Sequence, residues 1–181
     1  ICLLSICIVT ATAALFGYQS YQLQASEKAV AISSEALSIA RTTAAQLDLR
    51  QYKKMFVAPA SSGNPDYESL QAILVRVQNA NDLTQGGSIY ILRKAVDLAA
   101  TNELEVVAGG SRPMESATHR TLASFQLQTL KGNAGSTLVY QSNKQTWISA
   151  AAPMVLDGDV IGIIQVDRNL DTYSGALAQL N

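Results

Sequence analysis

Residues 145–169, QTWISAAAPMVLDGDVIGIIQVDRN, restrict the fold of this chain more than any other stretch. Two apolar runs, 146–155 and 160–167, flank Leu156-Asp157-Gly158-Asp159. Asp-Gly between two such runs is a hairpin signal, because Gly158 takes positive φ without a Cβ penalty and short Asp side chains tolerate the turn. The second run is rich in Ile and Val, as expected of a strand with little exposure to water. Two adjacent central strands are the expectation. Asp157 and Asp159, flanking a glycine in a hairpin, read as turn formers and not as a metal or acid-base pair.

The start of the chain constrains it from the other side. Residues 1–18, ICLLSICIVTATAALFGY, carry no charge and have about the length that spans a bilayer core at about 1.5 Å per residue. A transmembrane helix, truncated at its start, is expected here, since the chain opens within an apolar run and without Met. A cleaved signal peptide is the competing reading, but the run flows into a helical pattern with no break. Both cysteines, Cys2 and Cys7, lie in this run, so no disulfide framework or zinc spacing can be built from the remainder.

From 19 to 54 there is no proline or glycine, which predicts one long helix continuing outwards. Leu23, Val30, Leu37 and Ala44 recur every seven residues, and Ala25, Ile32 and Ile39 form a second stripe. Two stripes imply two packing partners: a sheet of the same chain and the same helix of a second subunit, or else burial within one domain. Beyond a Pro/Gly-rich loop, Asp66 is expected to cap a helix with Leu70, Ile73, Leu74 and Val77 on one face. Strands are predicted at 88–94 (SIYILRK), 104–108 (LEVVA) and 136–141 (STLVYQ), with a crossover helix at 114–130 and an exit helix from 169. The expected architecture is α+β, five antiparallel strands with helices packed on the sheet.

A tryptophan strand ending in Ala152-Pro153, the turn at Gly158, and a strand carrying Gly162 and ending at Asp167 resemble the last two strands of the Cache family, the PAS-like extracytoplasmic sensor domains of bacterial membrane receptors. Tyr90 in the first strand matches more loosely and joins the candidate ligand-binding residues. The resemblance covers roughly 19–181 and is to the single-module type. It implies a PAS-like five-stranded antiparallel sheet with a long N-terminal helix and further helices packed on it, preceded by a transmembrane helix. The corresponding division is an anchor at 1–18, a sensor domain at 19–168 including the helix 19–54, and an exit helix at 169–181 towards a second span.

Enzyme templates are missing: there is no GxSxG, no GxxxxGK[ST] and no HExxH. His119, the single histidine, sits in ATHRT on the predicted crossover helix with no nucleophile paired to it, and reads as a solvated polar residue. The fragment is therefore expected to be no enzyme, to hold no cofactor or metal and, at net charge -1, to bind no nucleic acid. What remains is a small-molecule pocket. Polar residues alternating into an apolar sheet face are its sign, and Tyr140, then Trp147 and Ser149, then Gln165 and Asp167 can line one common surface. Tyr140 and Trp147 have a competing reading as core aromatics.

Asp167 ends a buried-looking strand, where an unpaired carboxylate is costly. It either meets water, caps the exit helix, pairs with an Arg or binds a ligand amine. In amino-acid-binding Cache members an Asp in this place receives the ligand's amino group, which is what the resemblance implies for Asp167. Arg93 and Arg112 are candidate bidentate clamps for a ligand carboxylate. The expected function is ligand sensing, of an organic acid or amino acid, by a homodimeric inner-membrane receptor with its sensor outside the cytoplasm. Its missing cytoplasmic part is expected to be a kinase, cyclase, phosphatase or chemotaxis module. The alternatives are a pilin-like subunit, although Ser5 stands where pilins resemble one another in having Glu, and a ligandless protein-binding scaffold.

Overall fold

The computed structural model describes residues 2–57, 64–94, 103–110, 119–121 and 123–172, with side chains from Thr12 onward and without those of 119–121. Helix α1 spans Cys2–Gln46, short of the predicted 54. It stops where the core demands a different spacing. Leu47, Leu49 and Tyr52 are all buried, and residues two apart cannot share a helix face. The Asp48 carboxylate also accepts the Arg50 backbone N–H at 3.2 Å, a local bond that competes with the helical ladder. A 3-10 turn at Lys53–Phe56 then drives Met55 and Phe56 inwards.

Among the described residues no helix is long and apolar enough to cross a membrane. The expected anchor, 1–18, lies largely outside the residues whose side chains are described.

Helix α2 spans Pro65–Ala80 and is capped by Asn64, whose side chain accepts the Asp66 N–H at 2.9 Å. Asn64-Pro65 supplies the cap and the first helical residue, so Asp66 lies inside the first turn and not at the cap. Tyr67, Leu70 and Leu74 face the core, and burial pushes the Tyr67 phenol pKa up.

The strands are β1 (Gly87–Lys94), β2 (Glu103–Gly109), β3 (His119–Thr121), β4 (Gly135–Ser136), β5 (Tyr140–Ser142), β6 (Gln145–Leu156) and β7 (Asp159–Asn169). They form one antiparallel sheet in the order β3-β2-β1-β7-β6-β4, with β5 also paired to β6. The fold is α+β with the expected antiparallel sheet and long N-terminal helix. The predicted hairpin is β6–β7, closed by a two-residue turn with Asp157 at φ 53° and Gly158 at φ 96°. Positive φ at both positions matches the right-handed twist of the flanking strands.

Two predictions are corrected on the strand side. The third strand is split into β4 and β5, because the Thr137 hydroxyl accepts the Ser149 N–H at 3.0 Å in place of a backbone carbonyl. The chain swings out at that point and leaves Leu138 91% exposed. The crossover helix is shorter than predicted: α3 covers Ser124–Leu130, and His119 belongs to β3 instead. Of the expected exit helix, a helical turn at 170–172 follows β7, and the rest lies outside the described residues.

Each face of the sheet carries its own core. Ala36, Ile39 and Ala40 of α1 and Leu70 and Leu74 of α2 pack on Ile89, Ile91, Ala150, Ala152, Ile164 and Val166. On the other face Tyr90, Leu92, Leu104, Val106, Ala151 and Ile163 pack together, with Phe125 and Leu130 of α3 against them.

Gly162 is where β7 passes closest to its surroundings. A Cβ there would lie 2.8 Å from the Leu92 carbonyl oxygen and 2.9 Å from the Phe56 ring. Gly162→Ala is expected to lower stability by about 1–3 kcal/mol through overpacking, measured as a reduced urea midpoint with unchanged m-value.

Candidate functional site

Alternation along β7 sends Ile163, Gln165 and Asp167 to the face away from α1, and Ile164, Val166 and Arg168 to the face beneath it. Register does the rest. Asp167 lies opposite Ser88 on β1 and Ser149 on β6, and Gln165 lies opposite Tyr90 and Ala151. Tyr90, Ser149, Gln165 and Asp167 are thereby gathered into one patch, and all four are buried.

A buried carboxylate is tolerated only with its hydrogen bonds made. The Asp167 side chain is supplied by the Tyr90 hydroxyl, by the Ser149 hydroxyl at 2.6 Å and by the Gln165 amide at 2.8 Å. The donors form a directed series. The Ala123 N–H donates to Gln126 at 2.8 Å, the Gln126 amide to Gln165 at 2.6 Å, and the Gln165 amide to the Tyr90 oxygen at 2.9 Å as well as to Asp167. Bonds aligned in one direction polarise one another, so the series concentrates donor strength at the carboxylate. From the other side, the Tyr140 hydroxyl lies 2.7 Å from the Ser149 hydroxyl, and either can donate.

Of the candidates read from the sequence, Tyr90, Tyr140, Ser149, Gln165 and Asp167 thus converge. Trp147 shares the Ser149 face but sits half-buried, opposite Tyr140 and Asn169. Arg112 lies outside the described residues.

Arg93 does not join the cluster. It is three residues from Tyr90 and so faces the α1 side, where its guanidinium donates to Glu105 at 2.7 and 2.9 Å and to the Met55 carbonyl at 3.2 Å. That buried pair ties β1 and β2 to the 3-10 turn and is structural. Sequence reasoning missed Gln126, which is buried on α3 and holds Gln165 in orientation.

Among the described residues no group of His, Cys, Asp and Glu is arranged to hold a metal. Two open clefts among the described residues lie elsewhere. One of about 630 Å³ lies between Arg41, Leu47 and Arg50 after α1 and Pro153, Leu156 and Asp157 of the hairpin. Another of about 540 Å³ lies between Tyr21, Lys28 and Ile32 of α1 and Val139, Leu170 and Asp171.

Tyr90 is the donor that can be removed with least change of shape. Tyr90→Phe is expected to cost about 1–3 kcal/mol, the range for a hydrogen bond to a charged group, read as a lower urea midpoint.

No protein-family model matches the chain, nor does any curated protein. Solved structures do resemble it. The sensor domain of the V. cholerae histidine kinase DctB superposes with a TM-score of 0.61 at 12% identity, covering 88% of this chain and 58% of that one. A structure described as methyl-accepting chemotaxis protein X gives 0.54 at 14% identity, covering 93% and 68%. The ligand-binding domain of the Campylobacter jejuni chemoreceptor Tlp3, in complex with 4-methylisoleucine, gives 0.50 at 13% identity, covering 86% and 57%. The chain spans little more than half the length of the Tlp3 and DctB domains. The long N-terminal helix, the antiparallel sheet and these likenesses agree: the chain has the α+β fold seen in the sensor domains of a histidine kinase and a chemoreceptor.

Proposed function

We propose that the chain is the extracytoplasmic ligand-sensing domain of a bacterial membrane receptor, anchored through 1–18, and that the cluster around Asp167 receives a ligand ammonium group. One observation carries this reading: a buried carboxylate, gathered by hydroxyl and amide donors, on the sheet face that α1 leaves uncovered. A cation replaces neutral donors at a carboxylate with gain, since charge-assisted hydrogen bonds are the stronger kind. Ser149 can yield its place, because Tyr140 offers it a second partner. With Arg93 engaged on the opposite face, the described residues of the cluster offer a carboxylate to an amine and no guanidinium to an organic acid. The Tlp3 structure, with an amino acid bound, lies on the same side of that choice.

A second reading has an observation of its own. Among the described residues the side chains of the cluster bond to one another, which is what a ligandless scaffold of this fold would have. The resemblance to receptor sensor domains, by contrast, favours both readings over a pilin-like subunit.

The receptor reading includes a homodimer through α1. Phe16, Leu23 and Val30 recur every seven residues and are 63%, 61% and 70% exposed, a seam of the kind that pairs helices. The output module, whether kinase, cyclase, phosphatase or chemotaxis signalling helix, belongs to the receptor beyond this segment.

Thermal unfolding of the 181-residue chain with the L-amino acids, simple amines and short organic acids separates the first two readings. One class of amine-bearing compounds is expected to raise Tm by about 5–10 °C at about 100-fold excess over Kd, and Asp167→Ala to abolish the shift. No shift with any compound, while the protein stays folded, would sink the ligand-sensing reading and leave the scaffold. For the dimer, Leu23→Glu combined with Val30→Glu is expected to convert a dimer to a monomer in sedimentation analysis in detergent; an unchanged mass rules out this seam.

A further inference from the structure

Neighbouring residues of β7 face opposite layers, and at its end three in succession have three different attachments. Asp167 lies in the polar cluster on one face. Arg168, 2% exposed, lies on the other and pairs with the Glu35 carboxylate of α1. The Asn169 side chain accepts the Asp171 N–H at 2.9 Å, capping the helical turn that leaves the strand.

The backbone between these residues is held firmly. The Asn169 N–H donates to the Gly86 carbonyl at 2.6 Å. A Cβ on Gly87 would come within 2.7 Å of the Asp167 carbonyl oxygen and 3.5 Å of Arg168 Cδ, so the start of β1 has no slack against β7 here. Glu35 lies where α1 departs from the sheet. Residues 36, 39, 40 and 43 are buried against it, whereas 12–28 are exposed. Ser33 adds a tie from the same part of the helix, donating to the Ser136 hydroxyl at 2.7 Å.

From this placement we propose that Arg168 is the coupling residue of the sensor, carrying a displacement of β7 at Asp167 across the sheet to α1 through Glu35. The proposal rests on the reading of the Asp167 cluster as the ligand site. Its physical basis is the burial of the guanidinium. A pair with both groups on the surface is held loosely and screened by salt, whereas here the guanidinium is buried and only the carboxylate is half-exposed, so the attraction is screened less. Glu35 therefore follows Arg168, and Arg168 cannot move independently of the residue before it. Coupling between sites needs a physically connected element, and the strand end joined to α1 through this pair is one.

The test needs no ligand. Hydrogen exchange of α1 peptides covering 29–43 is measured in the full chain and in Asp167→Asn, which keeps the shape of the cluster and removes its charge. Exchange around Glu35 is expected to change by roughly threefold or more in Asp167→Asn, and that response to be lost in the Glu35→Gln background and retained in Ser33→Ala. Should Asp167→Asn fail to fold, Ser149→Ala perturbs the same carboxylate more mildly. The proposal is overturned by an unchanged α1 or by a response that survives Glu35→Gln. A negative result here beside a positive ligand screen removes Arg168 as the coupling residue and leaves the sensor intact; the reverse outcome removes the ligand and leaves the mechanical link.

Discussion

The β6–β7 hairpin is the wall on which both halves of the molecule are built. From Gly162 to Asn169, β7 is buried on both faces, so each of its residues is committed to one layer or the other. The commitment is strongest at the charged pair. A slip of one residue would turn Asp167 and Arg168 each to the opposite face, taking the carboxylate away from its hydroxyl and amide donors and the guanidinium away from Glu35. Two buried groups would lose their partners at once, a cost of several kcal/mol for each broken pair. Register is thus specified electrostatically as well as by the apolar alternation, and the two-residue turn at Asp157-Gly158 and the close approach at Gly162 hold it from the other end.

Much of this was legible in the residues. Asp-Gly between two apolar runs defines a turn whose backbone few other pairs adopt, and the Ile/Val-rich run following it can hardly be placed outside a sheet. Period two also says which side chains share a face. It already separates Arg93 from Tyr90, three positions apart, so grouping them in one site contradicted the pleat before any coordinates were known. What alternation cannot say is which face receives the helices, since both faces of β7 read as apolar.

Two of the misreadings share one cause, a side chain taking a backbone's part. The Thr137 hydroxyl occupies a ladder position and splits a strand, and the Asp48 carboxylate takes an N–H just past the end of α1. Such exchanges depend on what lies across the sheet or around the next turn, and local propensity carries no trace of them. Gln126 escaped notice for the same reason. A glutamine in a short amphipathic helix has every appearance of a solvated residue until Gln165 is known to stand opposite.

The polar cluster and the ion pair are best understood together. Among the described residues, one face of β7 buries an acid beside hydroxyl and amide donors, and the other buries a base against a half-exposed acid of α1. Neither arrangement is the cheapest way to stabilise a sheet, for which apolar residues of similar volume would often serve as well. Their gain lies in specificity of position: hydrogen bonds and ion pairs tolerate far less displacement than a contact between methyl groups. With the two charges on adjacent residues, a strand too stiff to bend within one peptide unit connects the two faces. Under the proposed ligand-sensing function, such a point is where contact on one side of the sheet would reach the helix on the other, and the end of β7 supplies it.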